Sequence, residues 1–168
     1  FLDMNVQRRL GRHHESLQAA AMAQAAFARA DLGALSVAVR REVARWCMVE
    51  GNSVEATRLF QQLFSDWRHE QHRVARELFY AYCYGAENSY WQNQLQQAQA
   101  FQRAASELAL ALQDEMLIQA ATYLGRIVDL DTRTADRSAG EPAGDPAGDE
   151  MPSPNDTIRL SLTYKAHF

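Results

Sequence analysis

Apolar residues recur at three- and four-residue intervals through most of the chain from Phe1 to Asp131, which is the pattern of amphipathic α-helices. Between Gly51 and Phe64, one side of such a helix would carry Ala56, Leu59, Phe60 and Leu63. Gly51 can adopt the positive φ that ends a helix, and Ser53 can cap the helix that follows. This stretch therefore predicts a turn between two helices.

Similar turns are predicted at two other places, in the stretches that begin at Gly11 and at Asn93. Further breaks are expected at residues 31–33, 65–66 and 85–89. The chain would then form about seven helices, at approximately residues 1–10, 14–30, 35–50, 53–64, 66–84, 90–112 and 114–131. The recurrence of the turn indicates a helical repeat array.

The character of the sequence changes after Asp131. Residues 132–156 are acidic, rich in Gly and Pro and nearly free of large apolar side chains, so we expect a disordered linker that cannot offset its ordering entropy. Residues 157–168 are too few for a domain, and we expect them to begin a further C-terminal domain or to dock as a strand or a helix. The chain begins at Phe1 without the leader of a signal peptide, which favours a segment of a longer protein.

The charge of the chain argues against nucleic acid as a partner. Its net charge is −4 and its isoelectric point is near 5.7, whereas nucleic-acid-binding domains carry an excess of Lys and Arg. No apolar run approaches the roughly 20 residues that a membrane-spanning helix requires. Cys47 and Cys83 lie far apart in the sequence and are best explained as buried thiols in a reducing compartment. We therefore expect a cytoplasmic protein without a membrane span.

The residues that could carry chemistry do not form a recognisable catalytic or metal site. His69 and His72 are three residues apart, whereas helical zinc hydrolases use two His four residues apart and a third ligand. The sequence has no glycine-rich phosphate loop and no Ser or Cys with a matched base. An aromatic group could form a ligand cage, or more simply pack between helices: Phe79, Tyr80, Tyr82, Tyr84, Tyr90 and Trp91. We expect no cofactor, no metal and no catalytic residue in this chain.

Helix pairs joined at a glycine, with Glu-Ala after the turn and an aromatic residue four positions after the alanine, resemble tetratricopeptide (TPR) repeats. The resemblance covers residues 1–131. In that family the first helix of each pair carries a Leu-Gly-like dipeptide, matched here by Val43-Ala44, Tyr80-Ala81 and Leu124-Gly125. The second helix carries a small residue near its start, matched by Ser16, Ala56 and Ala98. The intervals between these three positions exceed the family's usual repeat of roughly 34 residues, and its closing proline is absent.

The resemblance implies a solenoid whose first helices line a concave groove for a peptide or a partner protein. The positions that would face this groove are Arg41, Arg45, Met48, Leu78, Tyr82, Gln119, Thr122 and Arg126. Arginine offers a planar pair of donors to a carboxylate, so an acidic peptide or a C-terminal carboxylate would suit these positions. The alternative is that the arginines form an ordinary solvated face.

The last twelve residues allow two further interpretations. Residues 164–168, Tyr-Lys-Ala-His-Phe, resemble the lead-in to the Asp-x-Leu-Thr-Gly-Leu motif that opens many diguanylate cyclases of the GGDEF family, which TPR-like regions precede in bacteria. Alternatively, apolar and polar residues alternate from Thr157 to Phe168, as in a half-buried strand. A terminal Phe also resembles the closing strand of an outer-membrane barrel, but one strand makes no barrel.

The sequence therefore predicts an all-α, TPR-like helix-pair solenoid with a disordered C-terminal linker. Its expected function is that of a protein-interaction or ligand-sensing regulatory region of a bacterial signalling protein, whose output domain, outside this chain, would be a diguanylate cyclase. Binding of the partner or ligand would change helix packing or the formation of a homodimer and would so regulate the output domain. The alternative is a stand-alone scaffold or chaperone without catalytic output.

Overall fold

The computed structural model describes the backbone of residues 2–140 and the side chains of residues 2–129. This part of the chain is helical and contains no β-strand, which confirms the all-α prediction. A short 3-10 helix, Gln71–Arg73, lies between the fourth and fifth α-helices. The α-helices are α1 (Leu2–Arg9), α2 (His13–Arg29), α3 (Gly33–Val49), α4 (Ser53–Asp66), α5 (Ala75–Trp91), α6 (Leu95–Leu112) and α7 (Glu115–Gly140).

The chain divides into two units, Phe1–Ala135 and Asp136–Phe168. The first unit contains the helices that could build a site, and residues 136–140 are the described part of the second. The helix α7 continues past the predicted boundary at Asp131 to Gly140, so residues 132–140 of the predicted linker are helical. The predictions for residues 141–156 and 157–168 fall outside the described residues.

Most helices are joined by the same tight turn, in which one residue has a positive φ. These residues are Gly11, Asp31, Gly51, Asn93 and Gln113. The N–H of Gly51 donates a hydrogen bond to the carbonyl of Met48 (3.1 Å), and the N–H of Asn52 donates one to the carbonyl of Cys47 (2.8 Å). This Schellman arrangement satisfies carbonyls at the end of α3. The predicted turns at Gly11, Gly51 and Asn93 are confirmed.

Two predictions around α5 are wrong. The loop expected at residues 85–89 lies inside α5, and the helix expected over residues 90–112 is interrupted by the turn at Asn93. Gly85 is a packing residue, because a Cβ there would lie 3.2 Å from Phe101 Cδ2 and 3.4 Å from Phe64 Cζ. A glycine in this position lets two aromatic rings approach the backbone of α5.

The helices pack in pairs, α1 with α2, α3 with α4 and α5 with α6. Between pairs, α2 packs on α3, and α5 packs on both α3 and α4. The small residues predicted near the start of each second helix, Ser16, Ala56 and Ala98, are all buried. The hydroxyl of Ser16 donates a hydrogen bond to the carbonyl of Met4, 12 residues earlier (2.9 Å). The array therefore consists of three helix pairs followed by α7.

The same 12-residue spacing leads to an equivalent residue in each first helix. It leads from Ser16 to Met4, from Ala56 to Ala44 and from Ala98 to Ala86, and each of the three residues reached in this way has 0% of its surface exposed. Ala44 agrees with the prediction from the TPR resemblance. In α5 the equivalent residue is Ala86, five positions after the predicted Ala81. Both alanines are 0% exposed, and the 12-residue spacing selects Ala86.

Contacts between successive pairs recur at equivalent positions. His13 Nδ1 at the start of α2 lies 3.4 Å from Glu50 Oε1 at the end of α3. Ser53 lies as far after His13 as Ala56 lies after Ser16, so Ser53 is the equivalent of His13 in the second pair. In the same way, Gln92 lies as far after Glu50 as Ala98 lies after Ala56, so Gln92 is the equivalent of Glu50 in the third pair. Gln92 Nε2 donates to the carbonyl of Ser53 (3.4 Å). α2 and α4 thus each meet the next first helix at an equivalent position.

Buried apolar side chains form two separate clusters. The main cluster joins α3 to α7 and includes Phe60, Leu63, Phe64, Leu78, Phe79, Tyr82, Leu108 and Leu117. The small cluster joins the first pair to α3 and consists of Met4, Ala20, Val39 and Trp46. The first helix pair is therefore held by far less buried apolar surface than the rest of the array.

Candidate functional site

Arginine side chains of α3 lie over aromatic rings of α5. The guanidinium carbon of Arg41 is 5.4 Å from the ring centroid of Tyr80, and that of Arg45 is 5.9 Å from the ring centroid of Tyr84. Each arginine precedes its tyrosine by the same interval in the sequence, and the two pairs are one helical turn apart. Such cation–π contacts are favourable and orient the guanidinium plane. We call these four residues the Arg–Tyr surface.

A third pair of this kind connects α1 with α3. The guanidinium carbon of Arg8 lies 5.1 Å from the ring centroid of Trp46, and Arg8 Nη2 is 3.6 Å from Glu50 Oε1. An arginine thus contacts an aromatic residue of the next first helix at both junctions, α1 to α3 and α3 to α5. These contacts fix the relative positions of the first helices.

Carboxylates neutralise the arginines of the Arg–Tyr surface. Arg41 donates to Glu77 of α5, and Arg45 donates two hydrogen bonds to Glu42 of its own helix. The side chains of Arg41 and Glu77 keep 17% and 25% of their surface exposed, so solvent reaches this ion pair. A ligand carboxylate would have to compete with an internal carboxylate at each arginine.

Glu42 is held as a carboxylate. Burial by itself raises the pKa of Glu42, but hydrogen bonds from Arg45 and Trp46 and the charges of Arg45 and Arg41 outweigh burial, so its pKa is lowered. The hydrogen bond to Glu42 is also the main cause of the raised pKa of Arg45. Trp46 Nε1 donates its hydrogen bond to Glu42 Oε1 at 3.0 Å. The pair therefore stays ionised at neutral pH.

This pair predicts an acid-sensitive contribution to stability. A carboxyl whose pKa in the folded state lies below its ordinary value of 4.5 stabilises the fold above that pH, and the contribution is lost as the pH falls through the lowered value. We expect Glu42→Gln to reduce the free energy of unfolding at pH 7 and this difference to shrink between about pH 5 and pH 3. Urea unfolding of both proteins across this range measures it. Glu107→Gln, at an exposed position of α6, is the matched control.

Burial affects the other titratable groups near this surface. It raises the pKa of Tyr80 and Tyr84, so both hydroxyls remain protonated and can donate hydrogen bonds at neutral pH. Burial also raises the pKa of Cys83 to about 12 and that of Cys47 above its ordinary value. Neither thiol is therefore a thiolate nucleophile at neutral pH.

The structure places the predicted groove residues in three different environments. Arg41 and Arg45 belong to the Arg–Tyr surface, with Met48 partly buried against the main cluster. Leu78 and Tyr82 are core residues, with 1% and 8% of their surface exposed. The remaining three are exposed on α7: Gln119, Thr122 and Arg126. The predicted positions on α5 thus lie in the core, and those on α7 lie at the surface.

Sequence reasoning misses the partners of the arginines. The helical pattern does not single out Glu42 or Glu77, and it includes Tyr80 and Tyr84 only as members of the aromatic group. Tyr80 follows Arg41 at the same interval at which Tyr84 follows Arg45. This repeated interval is the sequence pattern that could have indicated the two tyrosines.

The predicted aromatic group divides between core and surface. Tyr82 stacks on Phe64 with ring centroids 4.0 Å apart, and Phe79 lies beside Tyr80 at 5.3 Å. Tyr90 and Trp91 meet edge to face at 5.9 Å, with Trp91 exposed. Packing between helices thus accounts for Phe79 and Tyr82, whereas Tyr80 and Tyr84 contribute to the Arg–Tyr surface.

Outside the Arg–Tyr surface, an open cleft of about 250 Å³ contains the 2.7 Å ion pair of Arg40 with Asp66 and is lined by Gln24, Arg40, Val43, Leu59, Gln62 and Asp66. His69 and His72 are exposed in the segment between α4 and α5. Within residues 2–129, no three His, Cys, Asp or Glu side chains are grouped closely enough to hold a metal ion.

None of the described helices combines the length and apolar content that crossing a bilayer requires. A scan against protein-family models matches none, and searches of curated proteins and of solved structures return no significant match.

Proposed function

We propose that the helix array is a protein-interaction module, similar in its function to TPR regions, and that its partner binds across α3 and α5 at the Arg–Tyr surface. The observation that supports this proposal is the alignment of Arg41 over Tyr80 and of Arg45 over Tyr84, one turn apart on facing helices. Ordered guanidinium planes and tyrosine hydroxyls are characteristic of binding surfaces, because they lose little entropy on binding.

The partner would carry a carboxylate, from an acidic side chain or a chain terminus. Arginine binds carboxylates through two parallel hydrogen bonds, and here the tyrosine rings hold the guanidinium groups in place. In the free protein Nη1 of Arg41 donates to Glu77, while Nε of Arg41 is buried and has no hydrogen-bond partner. A ligand carboxylate would therefore have to displace Glu77 from Nη1 of Arg41. Exchange of Glu77 for a ligand carboxylate would free Glu77 and alter the contact between α3 and α5.

Binding of an array of acidic peptides, each with a free and an amidated C-terminus, tests this proposal. We expect Arg41→Ala to weaken binding at least about tenfold, because hydrogen bonds to charged groups contribute roughly 1.5–3 kcal/mol. Glu77→Gln should strengthen binding, because it removes the competing carboxylate. Fluorescence anisotropy with a labelled peptide from the array measures both effects.

Arg40→Ala is the matched control for Arg41→Ala. Arg40 is the preceding residue of α3, forms an ion pair with Asp66 of α4 and is not part of the Arg–Tyr surface. Its replacement should leave peptide affinity unchanged. Equal losses in both variants, or an affinity that Glu77→Gln lowers, would contradict the assignment of the Arg–Tyr surface.

We further propose that the module regulates a diguanylate cyclase. The support is the resemblance of residues 164–168 to the lead-in of that family together with the TPR-like pattern ahead of it. The parent gene should then continue into Asp-x-Leu-Thr-Gly-Leu and Gly-Gly-Asp/Glu-Glu-Phe motifs. A stop codon directly after the codon for Phe168 would reject the cyclase and favour a stand-alone scaffold or chaperone, without affecting the peptide experiment.

A further inference from the structure

The cleft that contains the ion pair of Arg40 with Asp66 lies where the two apolar clusters separate. Its residues belong to α2, α3 and α4 and are Gln24, Arg40, Val43, Leu59, Gln62 and Asp66. Val43 packs against the small cluster and Leu59 against the main cluster. We call these six residues the α2–α4 cleft.

The repeat places a packed layer at the corresponding position of the next helix pairs. The spacing between the first and second pairs leads from Gln24 to Phe64. The spacing between the second and third pairs, from Ala56 to Ala98, leads from the other five cleft residues to residues of α5 and α6, in order Tyr82, Gly85, Phe101, Ala104 and Leu108. All of these equivalents except Gly85 belong to the main cluster or pack against it.

Aromatic rings fill this layer. Tyr82 stacks on Phe64 with ring centroids 4.0 Å apart and an angle of 13° between the ring planes, and Phe101 meets Phe64 at 5.1 Å. At the cleft, the same three positions hold Arg40, Gln24 and Leu59. The ring of Phe64 thus has no counterpart in the cleft, which is open over about 250 Å³.

The stability of the fold does not explain the polar residues of the cleft. The ion pair of Arg40 with Asp66 takes the positions of Tyr82 and Leu108 and leaves 17% and 49% of its two side chains exposed. A partly exposed ion pair contributes little to stability, whereas buried aromatic contacts contribute much. A ligand that completes the layer would account for the exchange.

We propose that the α2–α4 cleft binds a planar bicyclic heteroaromatic ring at the place that corresponds to the ring of Phe64. The guanidinium group of Arg40 would stack on this ligand, as Tyr82 stacks on Phe64. Arginines of this chain already lie over the rings of Trp46, Tyr80 and Tyr84. The site lies outside the Arg–Tyr surface and does not depend on the proposed function.

The size and the walls of the cleft select this ligand class. A cavity of roughly 150 Å³ can hold one benzene molecule, so about 250 Å³ leaves room for a second fused ring. Val43 and Leu59 supply apolar contacts, and the side-chain amides of Gln24 and Gln62 can bond to ring nitrogens. Because Val43 and Leu59 belong to different clusters, the bound ring would join the first helix pair to the rest of the array. Indole has this chemistry, as a free molecule or as the side chain of a tryptophan.

Titration of the isotope-labelled 168-residue chain with indole, followed by NMR, tests the proposal. We expect the amide signals of the cleft residues to shift with a dissociation constant on the order of 1 mM, because indole is small. Gln24→Phe introduces the ring that the next pair has at Phe64, and it should raise the dissociation constant at least about tenfold because it fills the space. Gln18→Phe is the matched control, an identical change at an exposed position of α2 outside the cleft. It should leave the affinity unchanged, and circular dichroism verifies that both variants remain folded.

Two further ligands define the chemistry and its source. Cyclohexanol should bind at least about tenfold more weakly than indole, because it has no π-system to stack on a guanidinium group. N-acetyltryptophanamide binding as tightly as indole would support a tryptophan side chain of a partner, whereas binding of indole alone would support a free small molecule. Acidic peptides without aromatic residues carry no such ring, so the peptide experiment at the Arg–Tyr surface is independent of this titration.

Three results would overturn the proposal. The first is that no signal of the cleft residues shifts up to the solubility limit of indole. The second is that Gln24→Phe binds indole as tightly as the unchanged protein or the Gln18→Phe control. The third is that cyclohexanol binds as tightly as indole, because the cleft would then accept any apolar molecule.

Discussion

Replacement of Trp46 by alanine is expected to release the first helix pair while the rest of the array stays folded. Trp46 is 4% exposed and is the largest side chain of the small cluster that joins α1 and α2 to α3. Its ring also lies under Arg8, and its Nε1 donates to Glu42. Truncation of a buried Trp to Ala typically costs about 3–5 kcal/mol, and here most of this loss falls on α1 and α2.

Hydrogen exchange measured by mass spectrometry distinguishes this local release from global unfolding. In the Trp46→Ala protein, amides of α1 and α2 should lose protection, whereas those of α5 and α6 should keep it. Trp91→Ala is the control, since Trp91 is 51% exposed at the end of α5. A uniform loss of protection along the chain would mean that the two clusters unfold as one unit.

Replacement of Phe60 by alanine is expected to destabilise the whole array by about 3–5 kcal/mol. Phe60 is 0% exposed in the main cluster, and its ring stacks with that of Phe64 at a centroid distance of 6.2 Å. Because domains are typically stable by only about 5–15 kcal/mol, a loss of this size would be a large part of the total.

Urea unfolding followed by far-UV circular dichroism measures this loss. Val54→Ala in the same helix removes an exposed side chain and should change the free energy of unfolding by no more than about 0.5 kcal/mol. If Phe60→Ala changed stability as little as Val54→Ala, the assignment of Phe60 to the centre of the main cluster would be wrong.

The helical class and several of the turns could be predicted because their causes are local. Apolar residues at helical spacing and glycines with positive φ, at Gly11 and Gly51, are visible in the sequence itself. Asp31 and Gln113 adopt the same conformation without glycine, so the sequence near Asp31 indicates only a general interruption. The length of α7 could not be predicted, because the composition after Asp131 indicates a linker although the helix continues to Gly140.

The site was harder to predict because it depends on the register between helices. The sequence around Gly85 predicts a loop, since a glycine that makes room for Phe64 and Phe101 cannot be distinguished in sequence from one that ends a helix. Leu78 and Tyr82, which the match at Tyr80-Ala81 predicts for the groove, are buried. The ion pair of Arg41 with Glu77 joins residues 36 positions apart, and only the folded structure brings them together.

The repeated turn has a consequence for how quickly the chain folds. Five connections between helices contain only two or three residues, whereas the connection from α4 to α5 contains eight. Between α1 and α6, most packing contacts join helices that are consecutive in the sequence, and the exception is the packing of α3 on α5. Proteins dominated by contacts between sequence neighbours search little conformational space and fold within microseconds to milliseconds. The slowest step should then be the closure of the α4 to α5 connection, which brings α5 onto α3.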